Sequence, residues 1–311
     1  MSWLTVQNEP LAPSPWEACY YSSSQQRDFI GSHLGPALAA GVAAQRHPPV
    51  SLLGFDDQKD AILEWADALL DARTSPAAAH TAGLAYHWYA GDHFDRLAAA
   101  SAAYPDKVFL GTEATYELTR LGGEVDDSWV RDGVWARGEG YGHAILGDLL
   151  AGSSGWVEWN LLLDTTGGPN HLGNTCDAPV IADTTTGELF LHPQYFYLGH
   201  FSKFVTPGSR RIRLERAERA DADGKAPAGA HATPSPAGGV YNLSGAVAYG
   251  ACPGGPPRAV ALRRTDGRVV VVVLNCADSD AVIRLEDGES GRMLQRTMPP
   301  RSIQTYVLSG G

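Results

Sequence analysis

The chain has 311 residues, 44% of them apolar, and its 24 Lys plus Arg against 35 Asp plus Glu give a formal charge of −11. That much apolar material supplies a buried core and excludes disorder as the main state, while the acidic balance leaves no basic surface for a phosphate backbone and speaks against nucleic acid as a partner. The longest apolar run, Val269 to Leu274, is far shorter than the roughly 20 residues that span a bilayer, so a membrane-spanning segment is not expected.

From Ser2 to about Val205, short apolar β-like runs alternate with longer amphipathic stretches, the pattern of βα units on a parallel sheet. Strands are predicted over Trp3–Gln7, Val50–Phe55, Gly83–Trp88, Val108–Thr112 and Trp156–Leu162. Gln25–Ala40 places Phe29, Ile30, His33, Leu34 and Leu38 at helical spacing, with Ser24 or a neighbouring Ser as its cap. Asp57–Leu70 gathers Ile62, Leu63, Trp65, Ala66 and Leu69 on one face, with Asp56 as N-cap. Phe94–Tyr104, Gly133–Ala151 and Pro193–Phe204 complete the helices, Pro193 suiting a first turn.

Beyond Val205 the period changes. Ile212–Arg216, Gly239–Ala248, Arg258–Arg264, Arg268–Asn275, Ala281–Leu285, Met293–Met298 and Ser302–Leu308 read as short antiparallel strands, with Asp266-Gly267 as a tight hairpin turn. Asp221–Gly239, rich in Ala, Gly and Pro, reads as an exposed loop. All eight tryptophans lie within the first 159 residues, which supports a division at about 205: a βα domain over 1–205 and a β-sandwich over 206–311. Four cysteines, at positions 19, 176, 252 and 276, form no CxxC pair and give neither a zinc spacing nor a dense disulfide framework. Secreted and cytoplasmic settings both stay open, and no secretory signal is expected in the chain as given.

Two carboxylates end predicted strands. Glu9 stands in Asn8-Glu9-Pro10, where Pro10 takes the chain out of the ladder, and Glu113 ends the run from Lys107. In a βα barrel that rim is the catalytic face, and a carboxylate pair there suits a retaining glycosidase, which needs one acid and one nucleophile. His87-Trp88-Tyr89 ends a third strand with an aromatic face and a hydroxyl, and Trp156 to Asn160 ends the last with two tryptophans. Asp56 and Asp57 suit a helix cap with an Arg partner better than substrate contact. Asp92, His93, His171, Cys176 and Asp177 form no ligand spacing, so neither a metal nor another cofactor is expected.

The stretches TVQNEP (5–10), LLGFDDQK (52–59), GLAYHWYAGDHF (83–94), VFLGTEATYE (108–117), WARGEGYGHAILGDLLAGSSGWVEWNLLLDTTGGPN (135–170) and YFYLGHFSKFVTPGSRRI (195–212) resemble glycoside hydrolase family 30, the family of glucosylceramidases and β-1,6-glucanases. The resemblance implies a (β/α)8 barrel joined to an antiparallel β-sandwich, acting on a carbohydrate or glycolipid by double displacement. It implies Glu9 as acid/base and Glu113 as nucleophile, with Asn8 on the 2-hydroxyl and Tyr89 on the carboxylate pair. Trp159 is then a pocket wall and Asn174 a polar contact of the sugar or a pocket loop, while His87 and Trp88 line the site or pack behind it. Glu158 stands where an Asp is expected. The five predicted strands would be strands 4 to 8 of a barrel that needs eight, so the expectation is a partial barrel lacking an N-terminal segment, with exposed sheet edges prone to association. An inactive or merely carbohydrate-binding remnant is the alternative function.

Overall fold

A computed structural model describes residues 2–12, 17–118, 127–169, 173–215, 252–288 and 291–309. The predicted strand at 239–248 and loop at 221–239 lie outside these residues. The first part is a five-stranded parallel sheet in sequential order, β1 (Trp3–Thr5), β2 (Ser51–Gln58), β3 (Thr81–His87), β4 (Val108–Glu113) and β5 (Gly155–Trp156). Each neighbouring pair is parallel, so β1 and β5 are its two edges.

Between strands run the helices. Ser22 caps α1 (Ser23–Phe29) through a reciprocal capping box with Gln25, and the helix continues through a π turn, Ile30–Leu34, into α2 (Gly35–Ala43). The helix predicted from Asp57 begins later. Strand β2 runs on to Gln58, a 3-10 turn follows over Lys59–Ala61, and α3 covers Ile62–Leu70. Asp56 therefore caps nothing; its φ of +71° and that of Phe55, +72°, form a bulge that keeps this polar stretch in the ladder. Helices α4 (Phe94–Ala103), α5 (Asp127–Asp132), α6 (Trp135–Leu150) and α7 (Pro193–Ser202) complete the set. Ile62, Trp65 and Leu69 of α3 pack on Phe55, Leu84, Tyr86 and Phe109 of the sheet, which is the buried stripe the sequence period anticipates.

The strand predicted from Trp156 to Leu162 divides in two. Hydrogen bonds from Val157 N to Gly111 O and from Trp159 N to Ala114 O match two residues against three, so regular pairing ends at Trp156. Leu162–Asp164 instead opens a small sheet, β6, β7 (Val180–Ala182) and β8 (Leu189–Leu191), whose Leu163, Ile181 and Phe190 face the core.

The C-terminal part is antiparallel: β9 (Arg210–Ile212), β10 (Arg258–Arg263), β11 (Val269–Asn275), β12 (Ala281–Glu286), β13 (Met293–Met298) and β14 (Ser302–Leu308). Four form a sheet in the order β14-β11-β10-β9, and β12 and β13 form a separate hairpin. Gly267, at φ +83°, turns β10 into β11 as the Asp-Gly pair requires. Strand β11 is apolar on both sides because each side has a partner. Val270, Val272 and Leu274 pack on Ile145 and Leu146 of α6 and Tyr197 and Phe201 of α7, while Val271 and Val273 meet Ile283 and Met298 of the hairpin. Cys252 and Cys276 form a disulfide that ties the entry of β10 to the end of β11.

Candidate active site

The carboxyl ends of β1 to β4 converge on one polar cluster. Glu9 leaves β1 at φ +46°, with its backbone N–H donating to Asp56 O at 2.9 Å, so the turn is bonded to the end of β2. The residue is 5% exposed, and its Oε1 accepts from Gln58 Nε2 at 3.0 Å and lies 3.1 Å from His87 Nδ1. The other ring nitrogen, Nε2, lies 3.1 Å from Asp56 Oδ1 and 3.9 Å from Glu113 Oε2. Asp56 Oδ1 also accepts from Thr112 Oγ1 at 2.7 Å. Glu113, at the last position of β4, accepts from the Tyr89 hydroxyl at 2.9 Å. One oxygen of Glu9, one of Glu113 and a ring nitrogen of His87 all lie within 4.8 Å of one another.

Charge follows from these contacts. Burial alone pulls the His87 imidazole down, but its hydrogen bonds to Asp56 and Glu9 and the charge of Glu113 outweigh it and raise the pKa to about 10. The ring is a cation held by carboxylates and donates from both nitrogens. Burial also pushes Asp56 up, and the hydrogen bond and charge of His87 more than offset it, leaving this carboxyl below the ordinary range. Glu113 behaves differently. Burial and the neighbouring charge of Glu9 raise it to about 7, against the opposing effects of His87 and Tyr89. Tyr89 and the more distant His87 are too few to overcome desolvation. Asp57 is likewise raised to about 6 by burial, although the backbone N–H groups of Leu11 and Gln58 bond to it.

Of the residues singled out in the sequence, Glu9, Glu113, His87 and Tyr89 come together in this cluster. Asn8 is exposed on the turn beside Glu9. Trp88 turns behind the rim: it is 3% exposed, donates from Nε1 to Thr115 O at 3.3 Å, and packs against Tyr116, Tyr141 and Trp156. Trp159 follows β5 and is 58% exposed. Asn174 is half-buried, its amide directed at Cys176 Sγ, beside the bridge between Glu117 and Cys176. Glu158 accepts from the Tyr141 hydroxyl at 2.6 Å and is pushed well up by burial.

Asp56 and Gln58 are the members that sequence reasoning assigned elsewhere or passed over. Asp56 has His87 and Thr112, not an Arg, as partners. A run of Asp-Asp-Gln at a strand end is the only signal, and it reads equally well as a helix start until the bulge at Phe55 and Asp56 is seen.

A parallel βα sheet with paired carboxylates at its carboxyl rim and a β-sandwich packed on its helices is the arrangement of a glycoside hydrolase. The chain belongs to glycosyl hydrolase family 30: residues 2–205 match the family's TIM-barrel domain and residues 257–306 its beta sandwich domain. Lysosomal acid glucosylceramidase of Mus musculus is 33% identical over 315 residues, covering 98% of this chain and 51% of that protein. Endo-1,6-beta-D-glucanase neg1 of Aspergillus fumigatus is 23% identical, with the same shares of 98% and 51%. The crystal structure of SrfJ from Salmonella typhimurium superposes with a TM-score of 0.76 at 28% identity, covering 100% of this chain and 57% of that one. The chain thus spans about half the length of the relatives it matches.

Proposed function

We propose that this chain bears the catalytic carboxylates of a retaining β-glycosidase that cleaves β-glucosidic bonds in glucosylceramide-like or β-glucan substrates. The observation that carries it is the approach of Glu9 and Glu113 within 4.8 Å. This suits direct attack by one carboxylate, since inversion needs a wider gap, of about 6.5–9.5 Å, to admit a water. In the first step the Glu113 carboxylate attacks the anomeric carbon while the bond to the leaving oxygen breaks and Glu9 gives that oxygen its proton. In the second, Glu9 takes a proton from water, which attacks the same carbon and frees Glu113 from the glycosyl ester. Tyr89 orients Glu113, and Asn8 and Trp159 stand on the rim where a 2-hydroxyl and a sugar face are bound.

The sheet itself supports a second element of the reading. Among the described residues the parallel sheet has five strands, three fewer than a closed barrel, β1 and β5 each pair on one side, and Trp3 on β1 and Val157 and Trp159 just after β5 are exposed. We therefore assign full activity to a form in which further βα units close the sheet, with the isolated chain reduced to sugar binding or to inactivity. A 2-fluoro β-glucoside carrying an activated leaving group tests both parts, applied to this chain and to a form extended upstream. A covalent label on Glu113 upholds the mechanism, and its appearance in the extended form alone upholds the need for closure. Turnover with inversion, or a label on another carboxylate, overturns the assignment.

A further inference from the structure

The loop from Trp88 to His93 carries Tyr89, whose hydroxyl holds Glu113. Three residues on, Asp92 Oδ2 meets Nε2 of His143, a buried residue of α6, at 2.9 Å. The other ring nitrogen of His143 faces Nη1 of Arg258 at 2.9 Å. A guanidinium only donates, so Nδ1 must accept, and the ring hydrogen must sit on Nε2, directed at Asp92. The donors therefore run one way: from Arg258, the first residue of β10 in the sandwich, through His143, to the loop of the catalytic rim.

The start of α4 is fixed at the same place. The Phe94 ring lies 5.5 Å from the His143 ring, with Arg258 Cζ 5.6 Å and Lys59 Nζ 4.8 Å from its centroid. It also fills the space left by Gly147, where a Cβ would come within 2.1 Å of the ring. Lys59 is anchored by Asp148 at 2.8 Å, both fully buried. Next to His143 and Gly147 on the same helix, Ile145 and Leu146 pack on β10 and β11. Burying a guanidinium is costly unless it is paired, and Asp92 is the carboxylate that the imidazole links to it.

We infer that Arg258 is a positioning residue for the catalytic site: the sandwich, through His143 and Asp92, fixes the loop that aims Tyr89 at Glu113. The inference rests on the function proposed above for its kinetic consequence, while the linkage itself is read without turnover. Arg258→Met keeps the half-buried stem and removes the donors. In the full chain labelled with 3-fluorotyrosine, the 19F signal of Tyr89, identified by its loss in Tyr89→Phe, is expected to move in Arg258→Met. The 15N shifts of His143 are expected to change from an Nε2–H ring to a mixture of tautomers. His143→Gln, which can still accept from Arg258 and donate to Asp92, is expected to keep the Tyr89 signal near its original position, and His143→Leu to move it as Arg258→Met does, serving also where that variant does not fold. In an active form, Arg258→Met is expected to lower kcat by about tenfold to a hundredfold, the cost of a misplaced catalytic group, with KM nearly unchanged. An unmoved Tyr89 signal in folded Arg258→Met or His143→Leu, or an Nδ1–H ring in the unsubstituted chain, overturns the inference. A moved signal in a chain whose upstream-extended form hydrolyses no glycoside upholds the linkage and sinks the proposed function instead.

Discussion

Glu113→Gln is the substitution that exposes what the site costs the fold. Burial and Glu9 raise the Glu113 carboxyl from its ordinary 4.5 to about 7, and at about 1.36 kcal/mol per pH unit that gap corresponds to about 3 kcal/mol. A folded-state pKa above the unfolded one means that the native state holds its proton more tightly. Stability from this group is therefore intact below pH 4.5, lost as pH rises from there through about 7, and reduced by the full amount above it. Glutamine cannot ionise, has nearly the same shape, and still accepts from the Tyr89 hydroxyl, so the variant escapes this loss. Urea unfolding of both proteins should give similar free energies at about pH 4 and an advantage of about 3 kcal/mol to Glu113→Gln at about pH 8. His87 belongs to both proteins and cancels in the difference to first order. A difference that does not vary with pH, or that favours the variant most strongly in acid, would refute the account of Glu113 as a carboxyl destabilised by burial.

The same shift sets a kinetic limb: the rate at which Glu113 is labelled by an activated glycoside should rise with pH through about 7, and a limb near the ordinary carboxylate value would place Glu113 in a more solvated site. Glu9→Gln should spare the first step for substrates with good leaving groups and lose about 10²- to 10⁴-fold for poor ones, so equal loss on both, measured by burst kinetics, would remove it as the acid. Lys59→Met strands the buried Asp148 beside it and should cost about 3–5 kcal/mol in a denaturant melt. Adding Asp148→Leu should recover most of that loss, and a double variant no more stable than the single one would show that the ion pair is not the reason.

Much of the fold was legible because its periods are local. Apolar spacing placed α3 on the sheet, and β11 shows its uninterrupted valines because a strand covered on both faces has no side to leave polar. The Asp-Gly pair gave the β10–β11 turn, and strand ends gave Glu9 and Glu113, because the rim of a parallel βα sheet is where a chain leaves the ladder. Family resemblance supplied the roles that no local pattern could. The tertiary structure decided the rest: that Phe55 and Asp56 take left-handed conformations and hold Asp56 against His87 rather than over a helix, that Trp88 turns away from the rim, and that Glu113 sits in a poorer hydrogen-bonding environment than its neighbour Asp56. It also brought Arg258 to within 2.9 Å of a histidine 115 residues away. Such facts depend on which groups meet across the fold and how much water is excluded between them, and a linear pattern carries the kinds of residues but not those distances.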